Sequence, residues 1–420
     1  MPARDAVDRA LETLSGEATD FLCDLIRIPS TRGNEGPAVR LVHERMKDLC
    51  TAADLMQIPE SFKDDPLYSW PLSGLTYADT QNLRLTVAGA SPGSGRSLIF
   101  NAHADVVPAS KNQENAFNPS VRDGAVYGRG ACDDKGQIAV IFLVLSALRK
   151  LGLRPRETVT IDIVVEEENG GNGTLFMVRH PVRADAAIVM EASERKIYSS
   201  VRGAVWFELT CRGKPGHSGR ASDVVSALKE SVKAMEVLER YHDELLAASR
   251  GHNPLFDAYA NPMPVTFGIL NAGDWPATAP ATASVKGVFG FLPNTNVHAV
   301  QQGMIDAIRK SPHQYLRENF DLHFDMLNNE GNELSPDHPL VQELAASAES
   351  CAVPVEVSAM TAACDAWRYS ASLNIPTVVF GAGSLKYAHS NEEQIAVRDM
   401  KETASVLIQF IDRWCGLIRA

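Results

Sequence analysis

The sequence predicts an α/β protein in which a smaller α+β domain is inserted into a larger domain built on a mostly parallel sheet. Three observations lead to this fold class. Strand-like and helix-like segments alternate through the first half of the chain, residues 203–330 follow a β-α-β-β-α-β order, and residues 331–420 return to the first pattern. We therefore expect the larger domain to comprise residues 1–202 and 331–420. At 420 residues the chain also exceeds the length that one hydrophobic core usually supports.

The strands and helices of the larger domain follow from their hydrophobic patterns. RSLIFNAHADVV (96–107) and ETVTIDIVVEE (157–167) are apolar and rich in β-branched residues, which predicts buried strands, and ADAAIVME (184–191) is a shorter one. DKGQIAVIFLVLSALRKLG (134–152) predicts a helix that covers one face of the sheet. In sheets of this kind, ligand-binding groups gather at the carboxyl ends of the strands.

The inserted domain has the element order of a ferredoxin-like unit. A long amphipathic helix follows its first strand, with Ser222 available as the N-cap. Its predicted elements are a strand at 204–213, a helix at 222–241, strands at 263–273 and 281–293, a helix at 296–311 and a strand at 320–327. After it, a helix at 337–350, a strand at 376–383 and a final helix ending near Gly416 complete the larger domain.

Composition argues against several classes of partner. The formal net charge is −12 and the chain has no dense run of lysine and arginine, which disfavours binding to a nucleic-acid backbone. The seven cysteines are scattered and form no C-x-x-C pair, as in a reduced chain with mostly buried thiols. The charged N-terminus lacks the apolar core of a signal peptide, and no apolar stretch is long enough to span a membrane. We expect a soluble, cytoplasmic protein.

Histidine and acidic residues occur where the pattern places strand ends. His103 and Asp105 lie near the end of the 96–107 strand, and a spacing of two puts both side chains on one face. His103 then offers one ring nitrogen to a metal while Asp105 fixes the ring through the other. Asp133 and Asp134 follow in GRGACDDKG (128–136), at the entrance to a helix, where one can act as the N-cap while the other points into the site. A hydrogen-bonded strand histidine and a simple helix cap would give the same local patterns.

VVEEENGG (164–171) places three glutamates side by side at the end of the next strand. Adjacent carboxylates repel one another, and a buried anion is costly unless it is paired or bound to a metal. Asn169-Gly170-Gly171 ends the strand and permits unusual backbone angles, so that Glu167 and Glu168 can both turn toward one centre. A solvated acidic turn is the alternative.

Two further candidates lie downstream. Glu191 closes the 184–191 strand, and His389 lies in the loop segment KYAHSNEEQI. Taken singly, they also fit a solvated strand end and an ordinary loop histidine. Taken together, the histidines and carboxylates are a ligand set for two Zn²⁺ or similar ions. A pair of dications ~3.5–4 Å apart would neutralise the acidic cluster and activate a shared water, and one glutamate would remain as general base.

At these residues the sequence resembles the dinuclear zinc amidohydrolase and exopeptidase family, which includes acetylornithine deacetylase, succinyl-diaminopimelate desuccinylase, aminoacylase and carboxypeptidase G. The motifs that match in order are HADVVP, GRGACDDKG, EEENGGNGT, VMEAS, GKPGHSG and GAGSLKYAHSNEE. The tail, with CDAWRY followed by GAGSLKYAHS, is most similar to the acetylornithine deacetylase-like branch. The resemblance implies a zinc-exopeptidase-like catalytic domain and an inserted ferredoxin-like lid domain that mediates dimerisation.

The resemblance also implies a metal-ligand set. His103 and Glu191 would hold one metal, Glu168 and His389 the other, and Asp133 would bridge both. The metals would be two Zn²⁺ per chain, with Co²⁺ or Mn²⁺ as substitutes. In the family the peptide bond that follows the bridging aspartate is cis.

Three catalytic roles are implied as well. Asp105 would orient His103, and Glu167 would take a proton from the bridging water and pass it to the leaving amine. His217, in GHSG, would reach from one subunit's smaller domain into the partner's active site and stabilise the oxyanion, a role typically worth ~10²–10³ in rate. This implies a homodimer formed through residues of the inserted domain. Glu166 stands where the family usually has Asp, and we assign it no direct role.

Substrate recognition departs from the family pattern. The asparagine and arginine that often precede two x-x-P segments of the smaller domain and contact the substrate carboxylate are absent from GDWPATAP and GFLP. Arg202 or Arg368 is a candidate replacement, and each also fits a surface or structural salt bridge.

The activity implied is hydrolysis of the amide bond of an N-acyl amino acid or related N-acyl amine. A dipeptidase or exopeptidase with the same centre is the alternative, because both reactions pass through the same kind of tetrahedral intermediate. A metal-stabilised binding protein without catalysis is a third interpretation, which the complete set of ligands together with Glu167 and His217 disfavours.

Overall fold

The computed structural model describes residues 4–70, 74–217, 219 and 221–420. The chain up to residue 202 contains α1 (Arg4–Ile26), α2 (Gly36–Met46), β1 (Ala52–Gln57), β2 (Gln81–Val87), β3 (Leu98–His103), β4 (Ser120–Arg122), β5 (Ala125–Tyr127), α3 (Lys135–Lys150), β6 (Leu153–Pro155), β7 (Val159–Val164), α4 (Asn172–Arg179), β8 (Ala187–Val189) and β9 (Lys196–Val201). Short 3₁₀ turns occupy Lys47–Leu49 and Glu60–Asp64.

The next part of the chain forms the inserted unit. Its elements are β10 (Gly203–Arg212), β11 (Gly216–His217), a 3₁₀ turn at Ala221–Asp223, α5 (Ala227–Ser249), α6 (Pro254–Asp257), β12 (Val265–Ala272), β13 (Thr278–Ala279), β14 (Thr282–Phe291), α7 (Val297–Lys310), α8 (Gln314–Glu318), β15 (Phe320–His323) and β16 (Asn328–Asn329). The chain then returns with β17 (Asn332–Glu333), α9 (Pro339–Ser350), β18 (Glu356–Met360), α10 (Ala366–Leu373), β19 (Thr377–Val379), β20 (Gln394–Ala396), α11 (Val397–Cys415) and β21 (Leu417–Arg419).

The central sheet has the strand order β1-β2-β7-β3-β8-β19-β9-β17, with β18 also paired to β9. Its middle pairs, β7 with β3, β3 with β8 and β8 with β19, are parallel, while β1, β2 and β17 pair antiparallel at the two sides. Successive residues of a strand point to opposite faces, so both faces of this sheet must be covered. On β3, Phe100 packs into the core that includes α1, α3 and α11, and Ile99 packs into the core that includes α4 and α10.

The inserted unit has an antiparallel sheet of its own, in the order β12-β14-β10-β15, with β16 paired to β10. Helices α5 and α7 contribute Leu238 and Met304 to a separate core with Phe207 and Phe289 of the sheet. The predicted α/β class, with its mostly parallel sheet and an inserted ferredoxin-like unit, is confirmed. The domain limits at 203 and 330 stay a prediction that the division into two sheets fits.

Two local predictions were wrong. The helix predicted at 222–241 begins at Ala227, with Ser226 and not Ser222 at the N-cap position, because Ala221–Asp223 forms a separate 3₁₀ turn and Val225 exchanges backbone hydrogen bonds with Lys214 before the helix starts. The strand predicted at 96–107 ends at His103, because the chain then leaves the sheet to pair with the loop at Ser30.

Other sequence expectations can be compared directly with the structure. All seven cysteines are free, and all but Cys50 are buried. Within the described ranges, every helix is too short or too polar to cross a bilayer.

We expect the buried ion pair between β2 and β7 to contribute strongly to stability. Arg84 Nε and Nη2 contact the two carboxylate oxygens of Asp162 at 2.7 and 2.9 Å, and both residues are buried. Asp162→Asn leaves the guanidinium without its counter-charge, so the free energy of unfolding in urea should fall by about 3–5 kcal/mol. The control is Asp79→Asn, which breaks the exposed pair with Arg40 and should cost less than ~1 kcal/mol. Equal losses in the two variants would contradict the prediction.

Candidate metal centre

Three neighbouring strands deliver acidic and histidine side chains to one edge of the central sheet. Strands β7, β3 and β8 are adjacent and parallel, so their carboxyl ends lie side by side. His103 is the last residue of β3, the three glutamates at 166–168 follow β7, and Glu191 follows β8. The local apolar pattern places each strand, and the parallel pairing brings their ends together.

His103, Asp133 and Glu191 form the first cluster, and all three side chains are buried. One ring nitrogen of His103, Nε2, lies 3.1 Å from Asp133 Oδ1 and 3.8 Å from Glu191 Oε1. The other, Nδ1, lies 3.0 Å from the backbone oxygen of Asp105 and 3.4 Å from its carboxylate. The ring therefore has one nitrogen held by Asp105 and the other directed at the cluster, as expected for a metal-binding histidine.

Asp133, Glu168 and His389 form the second cluster. His389 Nε2 lies 2.9 Å from Glu168 Oε1 and 3.2 Å from Asp133 Oδ2. The two carboxylate oxygens of Asp133 thus contact different histidines, His103 through Oδ1 and His389 through Oδ2. The structure brings all five sequence-predicted ligands together, with Asp133 shared between the clusters.

The side chains of the two clusters carry more negative than positive charge. Hydrogen bonds to Asp133 and Glu168 raise the pKa of His389 to about 11. Burial, together with the charges of Asp134 and Asp133, raises the pKa of Glu191 well above its ordinary value, and burial with the charge of Asp133 also raises the pKa of Glu168. Histidines that retain protons and carboxylates that take them up are what excess negative charge produces. Divalent cations bound by these nitrogen and oxygen ligands would relieve it, so the residues present fit such ions.

Asp105 holds the turn that carries the glutamates. Its Oδ1 accepts the backbone N–H of Glu167 at 3.2 Å, and its Oδ2 accepts that of Glu168 at 3.1 Å. Because the same residue contacts the ring of His103, Asp105 joins the end of β3 to the turn after β7. The sequence pattern predicted only the contact with the histidine.

Glu167 belongs to neither of the two clusters among the described residues. Desolvation raises its pKa well above the ordinary value, and the negative charges of Asp365 and Glu191 raise it further, while His103 opposes them. A carboxyl group with a raised pKa beside these two clusters is suited to exchanging protons near neutral pH.

Glu166 shapes the turn, although no sequence pattern assigned it a role. Its backbone has φ 60°, a left-handed conformation that favours glycine. Its buried carboxylate accepts hydrogen bonds from Tyr77 Oη at 2.7 Å and Asn172 Nδ2 at 3.0 Å, and Tyr68 Oη lies 2.8 Å from that of Tyr77. These partners hold the conformation that directs the two following glutamates.

The expected helix cap at 133–134 was wrong. Asp134 stands at the N-cap position of α3, but its side chain makes no capping bond. Instead its Oδ2 accepts the backbone N–H of His103 at 2.9 Å, which joins the start of the helix to the end of β3. The Asp133–Asp134 peptide is cis.

The remaining predicted residues lie outside both clusters. His217 is exposed on β11, which pairs with β13, and its Nδ1 accepts the N–H of Gly219 at 3.0 Å. Arg202 donates to the backbone oxygens of Thr361 at 2.5 Å and Gly203 at 3.1 Å. The roles proposed for His217 and Arg202 stay predictions.

Arg368 is buried close to the glutamate turn. Its Nη2 donates to the backbone oxygen of Gly170 at 3.1 Å, and its guanidinium stacks on the ring of Trp367 at 4.1 Å. The Nε and Nη1 groups have no hydrogen-bond partner among the described residues. Arg368 is therefore neither a surface residue nor part of a salt bridge in the described chain, and its role in substrate binding stays a prediction.

Asp365 is a polar residue of the site that sequence reasoning missed. It is buried and accepts a hydrogen bond from Thr174 Oγ1. After burial, its negative charge is the largest cause of the raised pKa of Glu167. Its position in the motif CDAWRY was the available signal, but the sequence alone does not show which strand end this motif reaches.

The sequence and the fold both match known proteins. The sequence profile of peptidase family M20/M25/M40 matches residues 99–413. N-formyl-4-amino-5-aminomethyl-2-methylpyrimidine deformylase of Bacillus subtilis (strain 168) is 25% identical over 368 residues, which cover 81% of this chain and 84% of that protein. Acetylornithine deacetylase of Myxococcus xanthus is 26% identical over 346 residues, which cover 81% and 86% respectively. Among solved structures, the YXEP protein of Bacillus subtilis, a dinuclear metal-binding peptidase, matches with a TM-score of 0.60 and 12% identity over 95% of this chain and 98% of that one.

We expect Asp105→Asn to weaken metal binding without unfolding the chain. The amide keeps one acceptor oxygen, so one of the two backbone N–H groups at 167–168 loses its partner and the turn loosens. Replacement of residues that orient metal ligands typically lowers metal affinity ~10–100-fold, which a chelator-competition titration measures. Asp185→Asn is the matched control, since Asp185 accepts the N–H of Ser97 at the opposite end of β3. A variant at Asp105 that binds metal as tightly as the control would refute the prediction.

Proposed function

The chain belongs to peptidase family M20/M25/M40, and from that membership we propose that it is a metal-dependent hydrolase that cleaves the amide bond of N-acyl amino acids or related N-acyl amines. Membership confirms the resemblance noted in the sequence and the assignment to hydrolases that cleave amide bonds. One observation supports the mechanism most directly: Asp133 directs one carboxylate oxygen toward each of two histidine-carboxylate clusters.

The proposed ligand set follows these clusters. His103, Asp133 and Glu191 would hold one divalent ion, and Asp133, Glu168 and His389 would hold the second. Zn²⁺ is the proposed metal, with Co²⁺ or Mn²⁺ as substitutes, because imidazole and carboxylate ligands suit all three. When bound, such a pair would supply Lewis acidity and would lower the pKa of a bound water molecule.

Glu167 is the proposed general base. Its raised pKa means that its carboxylate binds a proton readily, so it can take one from the attacking water and later give it to the leaving amine. The hydrogen bonds from the backbone N–H groups of Glu167 and Glu168 to Asp105 hold the base next to the ligand Glu168. Glu167 thereby keeps its place while its side chain exchanges protons.

The names of the relatives favour a small acyl group. One is a deformylase and the other a deacetylase, and each matches more than four fifths of this chain. The C-terminal motifs are likewise most similar to the acetylornithine deacetylase-like branch. We therefore propose N-formyl or N-acetyl compounds as the first substrates to assay, ahead of dipeptides.

A homodimer formed through the inserted unit is part of the proposal. Strand β12 is an edge of its sheet and exposes Ile269 and Leu270. Helix α5, which packs beside it, exposes Leu228 and Val232 one turn apart. An unpaired edge strand next to exposed apolar side chains is a surface that a second copy of the chain would cover.

His217 fits a role in the partner's active site. It lies on the inserted unit, is exposed to solvent and belongs to neither cluster of its own chain. In a symmetric dimer each subunit would place its His217 near the centre of the other, where an imidazole can stabilise the developing oxyanion.

The metal and the base are tested together. We expect elemental analysis to find two divalent ions per chain, chelator to abolish hydrolysis, and Zn²⁺, Co²⁺ or Mn²⁺ to restore it.

Glu167→Gln should keep both ions and the fold but lower kcat by ~10²–10⁴ on N-formyl and N-acetyl amino acids. Glu392→Gln is the control, because that exposed neighbour of the His389 loop lies outside both clusters and should leave kcat unchanged. Full turnover by the Glu167 variant would eliminate the mechanism, and hydrolysis of dipeptides alone would eliminate the substrate class.

The action of His217 across the dimer predicts complementation. His217→Ala and Glu167→Gln should each be nearly inactive, but a mixed dimer has one complete site, with Glu167 from one subunit and His217 from the other. Random mixing after subunit exchange should restore about a quarter of wild-type activity, since half of the dimers are mixed and each has one complete site of two. The double variant Ile269→Asp/Leu270→Asp should elute as the 45.6 kDa monomer and show no complementation. Recovery of activity by monomers, or none by mixed dimers, would contradict action in trans.

A further inference from the structure

Glu393 places a buried carboxylate inside the loop that carries Asp133. Its Oε1 lies within 2.9 Å of the backbone N–H of Gly130, 3.4 Å of that of Cys132 and 3.3 Å of that of Asp133. Its Oε2 accepts a hydrogen bond from the buried guanidinium of Arg129. One side chain thus satisfies several donors of the loop 129–133, which has no regular secondary structure to pair them.

The same network reaches His389. Arg129 Nη2 donates to Gln113 Oε1 at 3.0 Å and approaches the backbone oxygen of His389 at 3.5 Å. Gln113 Nε2 donates to the backbone oxygen of Ser390 at 3.4 Å. Glu393 itself follows His389 by four residues, and its backbone oxygen accepts the N–H of Gly128 at 3.0 Å.

We propose that Glu393 is a positioning residue that fixes the loop of Asp133 against the loop of His389, and thereby sets the affinity of the ion that Asp133, Glu168 and His389 would share. The inference rests on the proposed function, since it takes Asp133 and His389 as metal ligands. These two residues lie far apart in the sequence, on loops without regular structure, and the carboxylate of Glu393 joins them through backbone groups.

The backbone of the Asp133 loop makes this support necessary. Gly130 has φ 84°, and a Cβ at this position would lie 2.7 Å from Val106 Cγ1 and 2.9 Å from Lys135 Cδ. The loop therefore follows a path that only glycine permits there, and its N–H groups point inward at Glu393. Buried donors without an acceptor are costly, so loss of the carboxylate favours a different loop path.

The test compares two glutamates that do the same structural task at opposite ends of the fold. Glu393→Gln keeps the size of the side chain but removes the counter-charge of Arg129. The matched control is Glu157→Gln: Glu157 is also buried and its Oε1 accepts two backbone N–H groups, of Ser94 at 2.6 Å and Gly95 at 3.2 Å, at the amino end of β7. Co²⁺ is titrated into metal-free dimeric protein and followed by visible absorption, with chelator competition for the affinities.

We expect the wild type to bind two equivalents of Co²⁺, and Glu393→Gln to bind one of them at least ~10-fold more weakly. Glu157→Gln should lose stability in urea but bind both equivalents as the wild type does. Near-UV circular dichroism verifies the fold, and if the glutamine variant does not fold, Glu393→Asp, which keeps the charge but is shorter, is measured in the same way.

The possible outcomes separate this inference from the proposed function. If the wild type binds two equivalents of Co²⁺ tightly and the Glu393 variants bind both with the same affinity, the inference alone is overturned. It is also overturned if Glu157→Gln loses as much Co²⁺ affinity as Glu393→Gln. A wild type that binds no second equivalent would overturn the proposed function and this inference with it.

Discussion

The carboxylate of Asp133 is the contact on which the site depends. Each of its oxygens faces a different histidine, and each histidine faces a further glutamate, so that one side chain joins two groups of ligands into one centre. Burial first, and then the charges of neighbouring aspartates, raise the pKa values of Glu168 and Glu191, which is the cost of placing several acidic groups together in the interior. A pair of bound dications would offset the repulsion among these carboxylates, because the same oxygens would then act as metal ligands.

The fold supplies the ligands through strand order. Strands β7, β3 and β8 are parallel neighbours, so residues that directly follow each strand must emerge together at one edge of the sheet. The helices that cover the sheet pack against both of its faces, and this packing keeps the strand ends at fixed separations. The rigidity of the sheet is therefore passed on to the ligands that follow it.

Irregular backbone around the ligands is held by carboxylates that contact main-chain groups. Asp105 accepts two N–H groups of the glutamate turn, Asp134 accepts that of His103, and Glu393 accepts several in the Asp133 loop. Glu166 adopts a left-handed conformation that its contacts with Tyr77 and Asn172 support. The acidic composition of these motifs thus serves two tasks, since some carboxylates belong to the two clusters and others hold the loops that carry them.

The order of the main elements, the inserted ferredoxin-like unit and the candidate ligand types could be predicted from the sequence, because apolar periodicity and residues at strand ends are local properties. The remaining features depend on contacts between distant parts of the chain. Tyr77, one of the two partners of the Glu166 carboxylate, is 89 residues away, and Arg129, which donates to Glu393, is 264 residues away, so no local pattern could reveal either contact. The same holds for the cap expected at Ser222, since Lys214 and Val225 pair just before α5, and for Arg368, which is buried and donates to the backbone oxygen of Gly170, 198 residues away. Sequence patterns specify which groups are available, whereas loop paths and long-range packing specify which groups meet.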